Sequence, residues 1–374
     1  MVIMKTAKDF SEIIGMENFI QLLNFFSSSI KLRLCEIMID NYLKQEEIFK
    51  DSYNTHTALT IAKVLHDKID SMSDETEISR ISKKIFSLIK KIDFGNDLEM
   101  MLKIYTDARG MFINLDEVTQ YLIYGVLKLA VQANKIMKGQ HSKRTLSFVK
   151  EWVAFAHITI PSLMKSKDQI GLFMLNAQVA LMNGLISETD SIIKAILLII
   201  NAQYKKTQEL EAEEKWTEHL LNILGFLIVV PSNPDNFFEN IFAIMSLMEK
   251  KTWNKKSVLN RVKIYIAIFN YLCTQAQDKL PYNINRVDSN DTIFLGDDQF
   301  FSELEQNLIK VFDQIVNVMG ELNNEDRESQ AMLSMCMTWT AACLAQNIEL
   351  SDKVQSFIDK IIKKAEKSYV KCKR

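Results

Sequence analysis

Glycine and proline are scarce: 10 and 4 in a chain of 374 residues. Sandwiches, barrels and collagen-like repeats need many turn residues, so the shortage excludes them. It also excludes nucleotide-binding α/β folds, whose phosphate loops use glycine to bring the backbone close to the ligand. Surplus charge of one sign is lacking too. Lys and Arg number 45 against 47 Asp and Glu, for a net charge of −2, which leaves no bulk positive field to hold a phosphate backbone. The 5 cysteines, Cys35, Cys273, Cys336, Cys343 and Cys372, are odd in number and form no CxxC pair. That spacing fits neither a zinc site nor a disulfide framework, and they read as small buried hydrophobes in a reducing compartment. The most apolar runs, 192–200 and 220–230, are interrupted by Lys194 and Asn222 and fall short of the ~20 residues a membrane span needs. Residues 1–10 carry Lys5, Lys8 and Asp9 but no apolar core, so no signal peptide is expected and the chain reads as soluble and cytoplasmic.

What is present is helical periodicity. Ile78, Ile81, Ile85, Leu88 and Ile92 recur at steps of three and four, as do Val118, Leu122, Gly125, Leu129, Ala133 and Ile136. Leu146, Val149, Val153, Ala156, Ile160 and Leu163 form a further stripe, and two more begin at Val262 and Leu304. Each is one face of an α-helix, and sustained two-residue alternation is absent. Breaks near 50–55, 71–74, 94–96, 138–141, 165–168 and 231–235 are short and polar. Ser73 or Asp74 and Ser142 are expected N-caps, and Pro161 should stop or kink its helix. Several helices carry a second apolar face: Phe148, Trp152 and Phe155 on one, Tyr121, Ile123 and Tyr124 on another. A helix apolar on two sides packs between neighbours on both, as stacked hairpins require. The chain is therefore read as all-α, a single array over 1–374. It is a right-handed α-solenoid of degenerate HEAT-like antiparallel helix pairs, with roughly fourteen helices of about 15–22 residues.

Two stretches break the pattern. Residues 203–215 (QYKKTQELEAEEK) are charged and read as solvent-facing; 278–298 (DKLPYNINRVDSNDTIFLGDD) is the longest non-periodic segment. Its aspartates fail as a calcium loop, since Ile293 would sit where glycine is required and Gln299 where the bidentate glutamate belongs. The turn at 139–145 (GQHSKRT) lacks Walker spacing. No histidine falls in HExxH and no serine in GxSxG, so no catalytic acid, base or nucleophile converges and no cofactor or metal is called for. His157, in an apolar stretch, reads as a hydrogen-bonded core histidine. The basic residues of 359–374, among them Lys360, Lys363 and Arg374, read as the solvated face of a terminal helix, with anionic lipid as the alternative. Trp216 and Trp253 follow polar stretches. They are candidate partner-binding anchors, tryptophan being enriched at hot spots, with helix-packing core as the competing reading.

Three segments carry a resemblance: 107–115 (DARGMFINL), 135–163 (KIMKGQHSKRTLSFVKEWVAFAHITIPSL) and 287–300 (VDSNDTIFLGDDQF). In order and context they resemble the vacuolar protein sorting 35-like family, the large solenoid subunits of the Retriever complex and distant relatives of the large retromer subunit. The resemblance covers about residues 19–300 and corresponds to the C-terminal part of longer family members. It implies a non-enzymatic scaffold whose C-terminal solenoid curves around the phosphoesterase-fold vacuolar protein sorting 29 subunit. The solenoid half that holds the arrestin-like vacuolar protein sorting 26C subunit would lie outside this chain. It further implies work with the CCC complex of COMMD and coiled-coil proteins, peripheral on endosomes, returning membrane cargo to the cell surface. Beside it, the 288–291 loop offers Asp288, Asn290 and Asp291 as a candidate partner contact, a long loop in a helical array being often functional. The competing reading of the whole chain is a HEAT-type adaptor or regulatory subunit of another complex.

Overall fold

The computed structural model describes residues 14–321 apart from 17, 47, 70–72, 205–208, 278 and 281, together with Lys363. Among them are fourteen α-helices and one 3-10 turn, and no β-strand beyond two isolated bridges. The helices are α1 (Phe19–Asn24), α2 (Ser28–Lys44), α3 (Ser52–His66), α4 (Glu75–Ile89), α5 (Leu98–Met111), α6 (Asp116–Ile136) and α7 (Lys143–Thr159). They continue with α8 (Ser166–Met182), α9 (Ile186–Tyr204), α10 (Leu210–Leu227), α11 (Glu239–Lys250), α12 (Val258–Gln275), α13 (Asn290–Ile293) and α14 (Asp298–Gly320). Cys336, Cys343, Cys372, Pro281 and the basic stretch 359–374 except Lys363 lie outside the described residues.

Local chemistry places the helix ends. Asp51, Asp74, Asp97 and Ser142 each accept a hydrogen bond from an amide in the first turn, at 2.9, 2.7, 3.0 and 3.2 Å. A cap of this kind contributes about 1 kcal/mol. The Glu77 amide and the Thr76 hydroxyl hold the Asp74 carboxyl below its ordinary pKa. α7 stops at Thr159 and tightens into the 3-10 turn Ile160–Ser162, because Pro161 has no N–H for a further turn.

The chain divides into two compact units, Met1–Val179 and Ala180–Arg374. In the first, α2 packs on α3 and α4, α5 on α6, and α6 on α4 and α7. α5 and α6 come close at Gly125 on α6. A Cβ there would lie 2.7 Å from the ring of Tyr105 on α5, so glycine admits the ring where any larger residue would displace it. Val118, Leu122, Leu129 and Ala133 are buried on one face of α6, and Ile123 and Leu127 on another. Two residues of the expected stripes turn outward instead: Tyr124 and Ile136 are 53% and 54% exposed. His157 is half-buried rather than in the core, its ring meeting that of Phe173 edge to face with centroids 5.3 Å apart.

In the second unit, α9 packs on α10 and α11, and α12 on α10 and α14. Ile192, Ile193, Ile196 and Ile200 line one side of α9, while α12 is buried nearly all round. Such a helix lies between layers on both sides. Each unit is all-α, with helical layers covering one another's apolar faces. Cys35 and Cys273 are both buried. Burial pushes the Cys35 thiol up to about 11, against the opposing pull of Lys31 and its own amide.

Candidate partner-binding surface

The aspartate-rich loop is a folded crossover. Ser289 precedes the single turn α13, and the Asn290 side chain, 3% exposed, points inward. Its Oδ1 accepts the Ser232 amide at 2.8 Å, and its Nδ2 donates to Ser232 Oγ at 3.0 Å and to Gln275 Oε1 at 2.8 Å. One amide thus ties the turn after α10, the end of α12 and α13 together. Asp291 Oδ2 accepts the Leu280 amide at 3.0 Å, and Ser289 donates its hydroxyl to Oδ1. Partial burial raises the pKa of this carboxyl, but the hydroxyl and the surrounding amides outweigh it and hold it below the usual value.

The rest of the motif is engaged in the same way. Gly296 takes φ +76°, a conformation open to glycine without strain. Asp297 Oδ1 accepts the amides of Gln299 and Phe300 at the start of α14. Phe294 and Phe300 stack at 4.7 Å, and both lie within 5.3 Å of the Phe237 ring. Of the three loop residues singled out in the sequence, Asp288 alone is exposed; Asn290 is buried and Asp291 half-buried. Asp288 therefore faces solvent, while Asn290 and Asp291 are engaged within the crossover. Polar side chains at a crossover have backbone groups to satisfy, and these two satisfy them. Ser232 and Gln275, which complete the network, stand in no recognisable pattern.

Trp216 is 1% exposed, so it is core and not an exposed anchor. Trp253 is half-buried and donates Nε1–H to the Met248 carbonyl at 3.0 Å. The two rings meet edge to face at 5.1 Å. Lys251 Nζ sits 5.6 Å from the Trp216 ring and 5.4 Å from that of Trp253. Glu213 Oε1 lies 3.4 Å from that ammonium and accepts the Asn254 amide at 3.1 Å, while Oε2 has no hydrogen-bond partner. The stretch 203–215, expected to face solvent, therefore sends one carboxylate fully inside. The charge is tolerated because a cation and an amide face it, and the two aromatic faces support that cation in turn.

A groove of about 490 Å³ opens beside the crossover. Leu227, Val230, Phe237 and Tyr271 line it, with Ile186 and Ile293 at its lips. Burial pushes the Tyr271 phenol up to about 12, a hydrogen bond with Ser232 acting the other way. Asp190 and Glu239 are its charged lining residues. Both bond Lys194 at 2.9 Å. Among the described residues no group of three or more His, Cys, Asp or Glu is placed to hold a metal ion. No helix among them is long and apolar enough to cross a membrane.

A family model described as VPS35L C-terminal domain matches residues 1–369. The chain is 31% identical over 336 residues to proteins named VPS35 endosomal protein-sorting factor-like from Mus musculus and Homo sapiens, covering 87% of this chain and 35% of each relative. A protein of the same name from Dictyostelium discoideum is 28% identical over 364 residues, 96% of this chain and 37% of its own length. The chain thus spans about a third of the length of the curated relatives it matches. Among solved structures, a circular tandem repeat protein with novel repeat topology aligns over 97% of this chain and 84% of its own at 11% identity and a TM-score of 0.47.

Proposed function

The chain belongs to the family of VPS35L C-terminal domains, and from that membership we propose that it is a non-enzymatic scaffold of an endosomal cargo-recycling complex of the Retriever type. Its solenoid holds the phosphoesterase-fold vacuolar protein sorting 29 subunit. The vacuolar protein sorting 26C subunit joins through the solenoid half outside this chain, and the CCC complex completes the assembly. The whole sits peripherally on endosomes and supports return of membrane proteins to the cell surface. The observation that carries this reading is a family match along nearly the whole chain, to relatives named as endosomal protein-sorting factors. The helical architecture is in keeping with it, since stacked helices present large preformed surfaces suited to gripping a globular partner. Co-elution of the purified chain with the vacuolar protein sorting 29 subunit in gel filtration is the expected result. Separate elution of a folded chain at micromolar concentrations of both would count against the reading.

A further inference from the structure

The groove beside the crossover is not needed to explain the fold, and its chemistry is specific. Its floor is apolar, formed by Leu227, Val230, Phe237 and Tyr271. Its lips are large apolar side chains left in water: Ile186 is 39% and Ile293 40% exposed, and Leu295, two residues on, is 78% exposed. Exposed apolar surface that continues from a concave floor onto its rim marks an interaction site. The charge around it has one sign in excess. Asp190 and Glu239 line the groove, and exposed Asp235 lies between the lining residues Pro234 and Asn236. Lys194 is the cation that meets Asp190 and Glu239, so three carboxylates stand against one ammonium.

We infer that this groove binds a short segment of a partner protein that sets apolar side chains into the floor and carries a lysine or arginine beside them. The apolar floor supplies the burial. The acidic rim orients the segment and speeds its capture, as charge complementarity does at interfaces. Anionic segments are rejected by the same rim. The proposed occupant is a partner segment distinct from the phosphoesterase-fold subunit.

The test is a panning of phage-displayed random dodecapeptides against the full chain, followed by fluorescence polarisation with the enriched peptides. The expected result is enrichment of apolar sequences with an adjacent Lys or Arg, whose affinity falls as salt rises. Ile293→Glu should weaken them about tenfold or more, and Asp235→Lys about fivefold at low salt. Melting curves establish that the variants fold. Should Ile293→Glu fail to fold, Leu295→Glu and Asp235→Lys, both at exposed positions, decide the matter. No enrichment, enriched peptides lacking basic residues, or affinities unchanged in the folded variants would overturn the inference. So would a dimer of the chain that Asp235→Lys dissociates, which would make a second copy the occupant. Loss of the phosphoesterase-fold subunit in these variants, with no peptide enriched, would give the groove to that subunit.

Discussion

Removing Lys251 while leaving Glu213 in place should be among the most damaging single changes in the second unit. The Glu213 side chain is 0% exposed and that of Lys251 2%, so solvent screens neither. Lys251→Met keeps the length of the stem and its packing on the two indole rings, but leaves a buried carboxylate with only the Asn254 amide to face it. Breaking a buried pair from one side costs about 3–5 kcal/mol, mostly the desolvation of the abandoned charge. At about 2–4 °C per kcal/mol for a unit of this size, the melting midpoint should fall by roughly 6–20 °C. The double variant Glu213→Leu, Lys251→Met removes both charges. It should recover most of that loss, because apolar replacement of a buried pair is often neutral or better. Urea unfolding followed by tryptophan fluorescence is the assay, since Trp216 and Trp253 themselves border the pair. A loss below about 1 kcal/mol in the single variant, or a double variant as unstable as the sum of the singles, would refute the reasoning.

Asn290→Ala should destabilise by about 2–3 kcal/mol, because it strands the Ser232 amide and Gln275 in a buried site; Asp288→Ala, at an exposed position, should stay within about 0.5 kcal/mol, both read from chemical unfolding. Gly125→Val should cost about 1–3 kcal/mol by driving a side chain into the Tyr105 ring, with the melt monitored by circular dichroism. The Glu36 carboxyl is held below its ordinary pKa, chiefly by hydrogen bonds from Arg80 and Lys84. A lowered folded pKa gives stability that is present above the unfolded value, near 4.3, and is lost as pH falls through the folded one. Midpoints measured from pH 7 down to pH 3 should accordingly drop less steeply in Glu36→Gln than in the native chain. Cys35, buried and with its pKa raised to about 11, should resist alkylation at pH 8 until the chain is unfolded, as mass spectrometry of iodoacetamide-treated protein would register.

Features governed by neighbours in sequence were legible before the structure. Ser142 and Asp74 cap as expected because a cap needs only a side-chain oxygen and an amide three residues on. Pro161 ends α7 because the missing N–H is a property of the residue itself. Features governed by distant partners were not. Nothing local distinguishes Glu213 from its neighbours in an acidic stretch; its burial follows from Lys251, on a different element. The same holds for Asn290, whose partners Ser232 and Gln275 come from two other segments. Tyr124 and Ile136 continue apolar stripes in sequence, yet face solvent. Periodicity gives a helix its apolar faces, but the positions of neighbouring helices decide which of them are covered. The groove was invisible for a related reason: its lining is drawn from residues scattered over α9 to α13. The side chains of 287–300 divide between holding the crossover and facing outward, a division that depends on Ser232 and Gln275 far away in sequence.

Calorimetric titration of the full chain with the purified vacuolar protein sorting 29 subunit tests the scaffold reading most directly. Binding at micromolar affinity or tighter, a free energy of about −8 kcal/mol or below, is the predicted result. A chain that melts cooperatively yet gives no heat of binding at concentrations well above micromolar would contradict it.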